Sequence, residues 1–366
     1  MKIEILQEQI LSGLSIVGRA VAARAQLPVL SHILIEANSE GVVLSATDLE
    51  IGIRVKVAAK VIEPGIVAVP AKMFEEFLSS LSPGKVEILM DKETLILKVP
   101  GYSGKFQTIS AEEFPTIPEI AKENEICSLD VKLFTASVGR VVFASAKDSL
   151  RPVLTGVLWE FTPKTVRLVA TDGFRLAVEE LAVTVTTDQK SLLVPSRVVG
   201  EVVRLASSSD KIFIGHLPTT NQIYFMIGET LVVSQLLAGN FPDYQKILPK
   251  EFGTEINVSK GELLQALKAA HIFARDNSNM VRWSVEESEI AIQSSSPERG
   301  ECLINVPIKL DGDTIEIIFN ARYVLDYLNV IESDTVLISL GGKLAPAMFR
   351  DSGREGGQYV VMPINA

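Results

Sequence analysis

The chain has 366 residues, long enough for two or three domains, and 47% are hydrophobic, enough to bury a sizeable core and to exclude a disordered chain. Its longest apolar runs are too short for a membrane span, and Met1-Lys2-Ile3-Glu4-Ile5 lacks the charged head and apolar stretch of a signal peptide, so a cytoplasmic protein with no membrane partner is expected. The balance of 35 Lys and Arg against 45 Asp and Glu argues, as an average, against a polyphosphate partner.

Hydrophobic periodicity predicts a strand over 2–6, an amphipathic helix over 7–22, and alternating strands over 32–38, 42–48 and 51–57. A strand over 65–69 then enters a second helix over 71–81, and strands over 85–91, 94–99 and 105–110 follow. The order is β-α-β-β-β, twice. Helices are expected again over 131–147 and 196–206, and over 260–275 and 321–331. The predicted class is α+β, built from antiparallel strands in series.

That order recurs because the chain repeats. Val69-Pro70-Ala71-Lys72, Val194-Pro195-Ser196-Arg197 and Phe319-Asn320-Ala321-Arg322 are spaced by 125 residues. Each opens a helix with Pro or Asn near its start, then places an acid four residues after the basic residue. Ala46-Thr47-Asp48 recurs as Ala170-Thr171-Asp172, and Phe114-Pro115 as Phe241-Pro242. Three tandem repeats are predicted, at 1–120, 127–244 and 245–366.

Sorting charge by element changes the first impression. The six helical segments, the first extended to residue 24, hold 12 basic and 6 acidic residues, whereas the rest of the chain holds 23 and 39. A basic face on the helices inside an acidic exterior is the arrangement expected of a protein that encloses DNA. Two arcs of three units, related by a two-fold axis, can close into a ring. Twelve helices about 10 Å wide give a circumference of about 120 Å, leaving a hole of roughly 28 Å, wide enough for a duplex. Arg24, Lys72, Arg197 and Arg322 are expected on that inner face, the last three at one repeated helical position.

Catalysis is not expected. His32, His216 and His271 lie in different repeats, and Asp48 and Asp172 read as residues closing equivalent turns. Cys127 and Cys302 have no metal-type spacing and read as reduced core thiols, and no phosphate-cradling Gly-rich loop occurs. No metal and no cofactor is predicted. The rival readings are an enzyme with a site at a repeat junction, which needs a titratable cluster the sequence lacks, and a protein scaffold with no use for the helical cations.

Leu27-Pro28-Val29-Leu30, Ala46-Thr47-Asp48-Leu49-Glu50, Arg151-Pro152-Val153-Leu154, Val169-Ala170-Thr171-Asp172-Gly173-Phe174-Arg175-Leu176-Ala177, Phe241-Pro242-Asp243-Tyr244 and Tyr359-Val360-Val361-Met362-Pro363-Ile364 carry a resemblance. With these motifs in order over its whole length, the sequence resembles the bacterial sliding clamp family, the beta subunit of DNA polymerase III. The resemblance implies the DNA-clamp fold: sheets outside, and helices lining a ring formed by two chains. It implies a non-catalytic processivity factor, a homodimer that slides on enclosed double-stranded DNA without reading its sequence and tethers the replicative polymerase. It also implies a groove between repeats two and three for short peptides of polymerases, the clamp loader and repair proteins. By position, Leu154, Thr171, Gly173, Phe174, Arg175, Leu176, Pro242, Lys246, Ile247, Asn320, Tyr323, Leu344, Val360, Met362, Pro363 and Ile364 would line it, with Arg175 and Lys246 at the rim. The resemblance places Arg24 and Lys72 on DNA with Lys147, Ser149 and Arg151 beside them, and Phe106, Ile272 and Phe273 at the joint between chains.

Overall fold

The computed structural model describes every residue except 23–26, 149, 187–188, 208, 297, 299 and 366. The first repeat runs β1 (Lys2–Leu6), α1 (Gln7–Val17), β2 (His32–Asn38), β3 (Gly41–Thr47), β4 (Ile51–Val57), β5 (Lys60–Glu63), β6 (Gly65–Pro70), α2 (Ala71–Ser79), β7 (Lys85–Asp91), β8 (Thr94–Val99) and β9 (Tyr102–Gln107). The second runs β10 (Glu125–Asp130), α3 (Val131–Val142), β11 (Gly156–Thr162), β12 (Thr165–Thr171), β13 (Arg175–Ala182), β14 (Lys190–Pro195), α4 (Ser196–Ala206), β15 (Lys211–Leu217), β16 (Gln222–Ile227) and β17 (Thr230–Gln235). The third runs β18 (Thr254–Ser259), α5 (Lys260–Ala274), β19 (Met280–Val285), β20 (Glu289–Ser296), β21 (Gly300–Gly312), β22 (Ile315–Asn320), α6 (Ala321–Leu328), β23 (Thr335–Leu340), β24 (Ala347–Asp351) and β25 (Gly357–Val361).

The doubled β-α-β-β-β order holds in repeats two and three, and repeat one adds β5. The predicted strand over 105–110 lies three residues earlier, as β9. Five of the six helices end before their predicted bounds, α1 and α3 by the most, five residues each. After Val17 the chain tightens into a 3-10 turn, Gly18–Ala20. After Val142, the Ala144 and Ser145 amides reach back only three residues, to Val141 and Val142, and the Ser145 hydroxyl also donates to the Val142 carbonyl, so the α-helical ladder stops there. Lys147 therefore lies in a loop and not on the helix.

The chain divides into two compact units that cut across the repeats. One comprises Met1–Lys132 with Gly200–Leu236, the other Leu133–Val199 with Leu237–Ala366. Strand pairing between repeats explains the division. In the first unit β17 pairs with β4, joining repeats one and two in the sheet β10-β15-β16-β17-β4-β3-β2-β6, beside a second sheet β5-β1-β7-β8-β9. In the second unit β13 pairs with β25, joining repeats two and three in one sheet, β14-β11-β12-β13-β25-β24-β23-β18-β21-β20-β19-β22. All of these pairings are antiparallel.

Helices seal these sheets with apolar faces. α1 buries Ile10, Gly13, Leu14 and Val17. Gly13 is required by close approach, since a Cβ there would lie 2.7 Å from Val57 and 2.8 Å from Leu44. The buried Gln7 amide donates to the carbonyls of Leu78 and Leu81, satisfying the end of α2 from the start of α1. Cys127 is buried, and its thiol is pushed up to about 12 by that burial and by nearby Glu125. Cys302, expected in the core, is only half-buried, on β21.

Candidate peptide groove and basic surface

The repeated Ala-Thr-Asp motif forms the same turn twice. In repeat two the Thr171 hydroxyl donates to the Arg175 carbonyl at 2.6 Å and accepts from the Gly173 amide, while Asp172 accepts from the amides of Phe174 and Arg175. In repeat one Thr47 and Asp48 make the four equivalent bonds to Ile51, Leu49, Glu50 and Ile51. Both turns need a left-handed residue, met by Gly173 (φ 93°) and, with strain, by Leu49 (φ 77°). Equivalence of residues 51 and 175 follows from the bonding pattern itself. Asp48 and Asp172 are thus turn-formers, as expected, and Thr171 is bonded inward.

The turn of repeat two sets up the groove. β13 leaves it with Leu176 paired to Val360 and Arg175 to Val361. Beyond β25 the tail stays attached, since the Met362 amide donates to the Phe174 carbonyl and the Ile364 amide to Ile318. Leu176 and Val360 belong to one apolar cluster with Val169, Val178, Tyr244 and Met348, against which Ile247, Leu248 and Phe241 pack. Leu154, Thr171, Leu176 and Val360 are buried and not open to solvent. Of the other candidate lining residues, Phe174 is 62% accessible, and Pro242 and Lys246 are exposed. Met362, Pro363, Ile364 and Tyr323 are half-buried, and Leu344 is 60% accessible in its loop. Asn320 serves as N-cap of α6, accepting from the Arg322 amide.

Arg175 is not at the rim. Its side chain is buried, with Nε on Asp172 at 2.9 Å, one terminal nitrogen on Asp326 at 2.7 Å and the other on the Phe143 carbonyl at 2.8 Å. The guanidinium also lies over the Tyr323 ring, 4.6 Å from its centroid. Burial disfavours its charge, yet Tyr359, Asp326 and Asp172 around it hold its pKa above the ordinary arginine value. Each of its three nitrogens is bonded inside the protein, so the fork points inward and not toward solvent. Lys246 does stand at the surface, paired with Asp243 at 2.8 Å.

Two neighbours went unassigned in the sequence. Tyr244 is buried, donates to Glu160 at 2.6 Å, and lines a cavity of about 450 Å³ with Arg167, Val178, Glu180, Leu248 and Met348. Its signal was present in Phe241-Pro242-Asp243-Tyr244. Asp326 was visible as the acid four residues after Arg322, but that spacing suggested a pair within α6 and not one with Arg175.

The candidate DNA contacts fall in both units. Lys72, Arg197 and Arg322 each occupy the second position of a helix, α2, α4 and α6, and are exposed. Lys72 is 3.9 Å from Glu76 with 89% of its side chain accessible, so the pair neutralises little. Lys147 and Arg151 are exposed loop residues. Arg24 and Ser149 lie outside the described residues. Among the described residues no group of three or more His, Cys, Asp and Glu could hold a metal ion, and no helix is long and apolar enough to cross a membrane.

Of the residues assigned to the joint between chains, Phe106 is buried in its own unit against Phe74 and Phe77, with ring centroids 5.2 and 5.6 Å away. Ile272 is exposed and Phe273 half-buried on α5, and Leu303 on β21 is also exposed. Among the described residues β9 has a single neighbour, β8, and residues 300–307 of β21 pair with β20 alone. Each leaves a row of backbone groups without a strand partner.

Comparison with known proteins agrees with this geometry. Three consecutive stretches match the DNA polymerase III beta subunit: its N-terminal domain at residues 1–118, central domain at 128–243 and C-terminal domain at 245–365. The beta sliding clamp of Staphylococcus aureus is 26% identical over 376 aligned positions, covering 100% of this chain and 99% of the relative. The structure of the DNA polymerase III subunit beta from Pseudomonas aeruginosa superposes with a TM-score of 0.95 at 29% identity, with both chains fully covered. The sliding clamp of Bacillus subtilis gives 0.94 at 26%, covering 100% of this chain and 99% of the other. The three repeats, the turn and groove motifs and the full-length match together place this chain in the DNA polymerase III beta subunit family, the bacterial sliding clamps.

Proposed function

We propose that this clamp, the processivity factor of a replicative polymerase, acts as a non-catalytic cytoplasmic ring of two chains around duplex DNA, and that it recruits partners through the surface around Phe174, Met362, Pro242 and Ile247. The three repeats are read as domains at 1–120, 127–244 and 245–366. Lys72, Arg197 and Arg322, with Arg24 and the loop from Lys147 through Ser149 to Arg151, supply phosphate contacts. Enclosure supplies retention, so an acidic chain needs little affinity for DNA. The unpaired edge of β9 and that of residues 300–307 are read as the surfaces that meet between chains, with Ile272, Phe273 and Leu303 packing beside them.

One observation carries the recruiting site. Leu176 and Val360 pair across the β13–β25 seam in an apolar cluster against which half-buried Ile247 packs, and half-buried Met362 follows two residues after Val360. A peptide ending in a Leu-Phe-type pair inserts there by displacing Met362, whose unbranched thioether repacks at low cost. Burying two large side chains contributes about 1.5–3 kcal/mol each, partly offset by ordering the peptide. Calorimetric titration of such a peptide, carrying a Gln before the apolar pair, tests this against a Leu176→Asp, Met362→Ala double variant. Wild type binds with micromolar affinity and the variant does not. Equal binding by both would place the site elsewhere.

A further inference from the structure

The two seams between repeats share one plan, yet differ inside in a way that bears on the groove. Facing the helices, β4 presents Ile51, Ile53 and Val55, all apolar and buried. The equivalent positions of β13 carry Arg175, Ala177 and Glu179, equally buried. Glu179 is held by Arg140 at 3.3 Å and by Arg354, and Arg140 also reaches Glu332 at 2.8 Å. Burial pushes the Glu179 carboxyl up, against the pull of the two arginines. Arg175 takes Asp172 and Asp326. The acid of the second helix occurs at both seams, but at the first it is Glu201, paired at 2.9 Å with Arg19 outside the sheet.

Buried ions stabilise less than apolar residues of similar volume, but they are directional and fix geometry. The seam with the charged interior is the one whose outer face carries Leu176 and Val360. Arg175 immediately precedes Leu176, its carbonyl is fixed by Thr171, and its guanidinium grips α6 at two points one turn apart, the Tyr323 ring and the Asp326 carboxylate. We propose that the Arg175–Asp326 pair is a positioning device that fixes α6 against β13 and thereby sets the spacing of the groove, so that Asp326 governs peptide affinity without touching the peptide. This rests on the groove assigned above.

Two variants test it. Asp326→Asn keeps the shape and a hydrogen-bond acceptor but removes the charge. Arg175→Ile with Asp326→Leu replaces the pair with the apolar chemistry of the first seam. Both should remain dimeric in sedimentation, and the apolar double variant, in which Asp172 and the Phe143 carbonyl lose a partner, should melt no more than a few degrees below wild type. Both should bind the Leu-Phe peptide at least about tenfold more weakly than wild type. A double variant that melts far below wild type would mean the pair holds the fold and not the spacing, and the proposal falls. Affinities within twofold of wild type in either variant would also overturn it, provided Leu176→Asp abolishes binding in parallel. If Leu176→Asp binds normally, the groove itself is misplaced, and the inference fails with it for that separate reason.

Discussion

Phe174→Ala separates recognition from folding more cleanly than any change at the buried groove residues. The ring is 62% accessible, and its backbone keeps its bonds in the variant, the amide to Asp172 and the carbonyl from Met362. Truncation should therefore change stability by no more than about 0.5 kcal/mol. If an arriving peptide covers the accessible part of the ring, the loss is about 0.6 of the roughly 1.5–3 kcal/mol that full burial contributes, or about 1–2 kcal/mol. That is a five- to thirtyfold weaker dissociation constant. Calorimetric titration with the Leu-Phe peptide, beside a thermal melt of the same samples, reads both quantities. Unchanged affinity with an unchanged melt would refute the groove as drawn, because no other exposed aromatic ring has been assigned to its mouth.

Three further outcomes are expected. Ile272→Asp with Phe273→Asp should yield monomers in sedimentation at low concentration, and a variant that stays dimeric would refute the assigned joint. Converting Arg24 and Lys72 to Ala should slow loading on DNA most at low salt and leave the melting temperature nearly unchanged, since Lys72 is exposed and its pair with Glu76 is weak. Glu179→Gln should alter the pH dependence of stability. With its folded pKa raised, Glu179 takes up a proton on folding between its ordinary and raised values, so its contribution improves as pH falls through that window. The variant should lose that rise when melts are compared across the window.

Local structure was legible because the repeats print it three times. β2, β4, β7 and β8 lie on their predicted bounds, since period-two alternation in Val, Ile and Leu marks a half-buried strand. Helix ends were less legible: nothing in the periodicity of 131–147 shows that Ser145 turns back on Val142. Pairing between repeats was invisible as well, because residue spacing within a repeat does not say that β17 must join β4, so the two compact units could not be foreseen. The groove showed a similar split. The family resemblance placed Leu176, Val360 and Ile247 together, but an arginine in a motif reads as a rim cation until burial and partners are known. Arg175 is such a case: neither its burial nor its pairing with Asp326 can be read from residue spacing.

The central claim is retention by enclosure, and it is tested most directly by comparing escape from circular and linear DNA. Clamps loaded on a nicked circle should remain bound through gel filtration at salt concentrations that abolish ordinary electrostatic binding, and should run off once the circle is cut. Loss from circle and linear duplex at the same rate, falling steeply with salt in both cases, would contradict the ring.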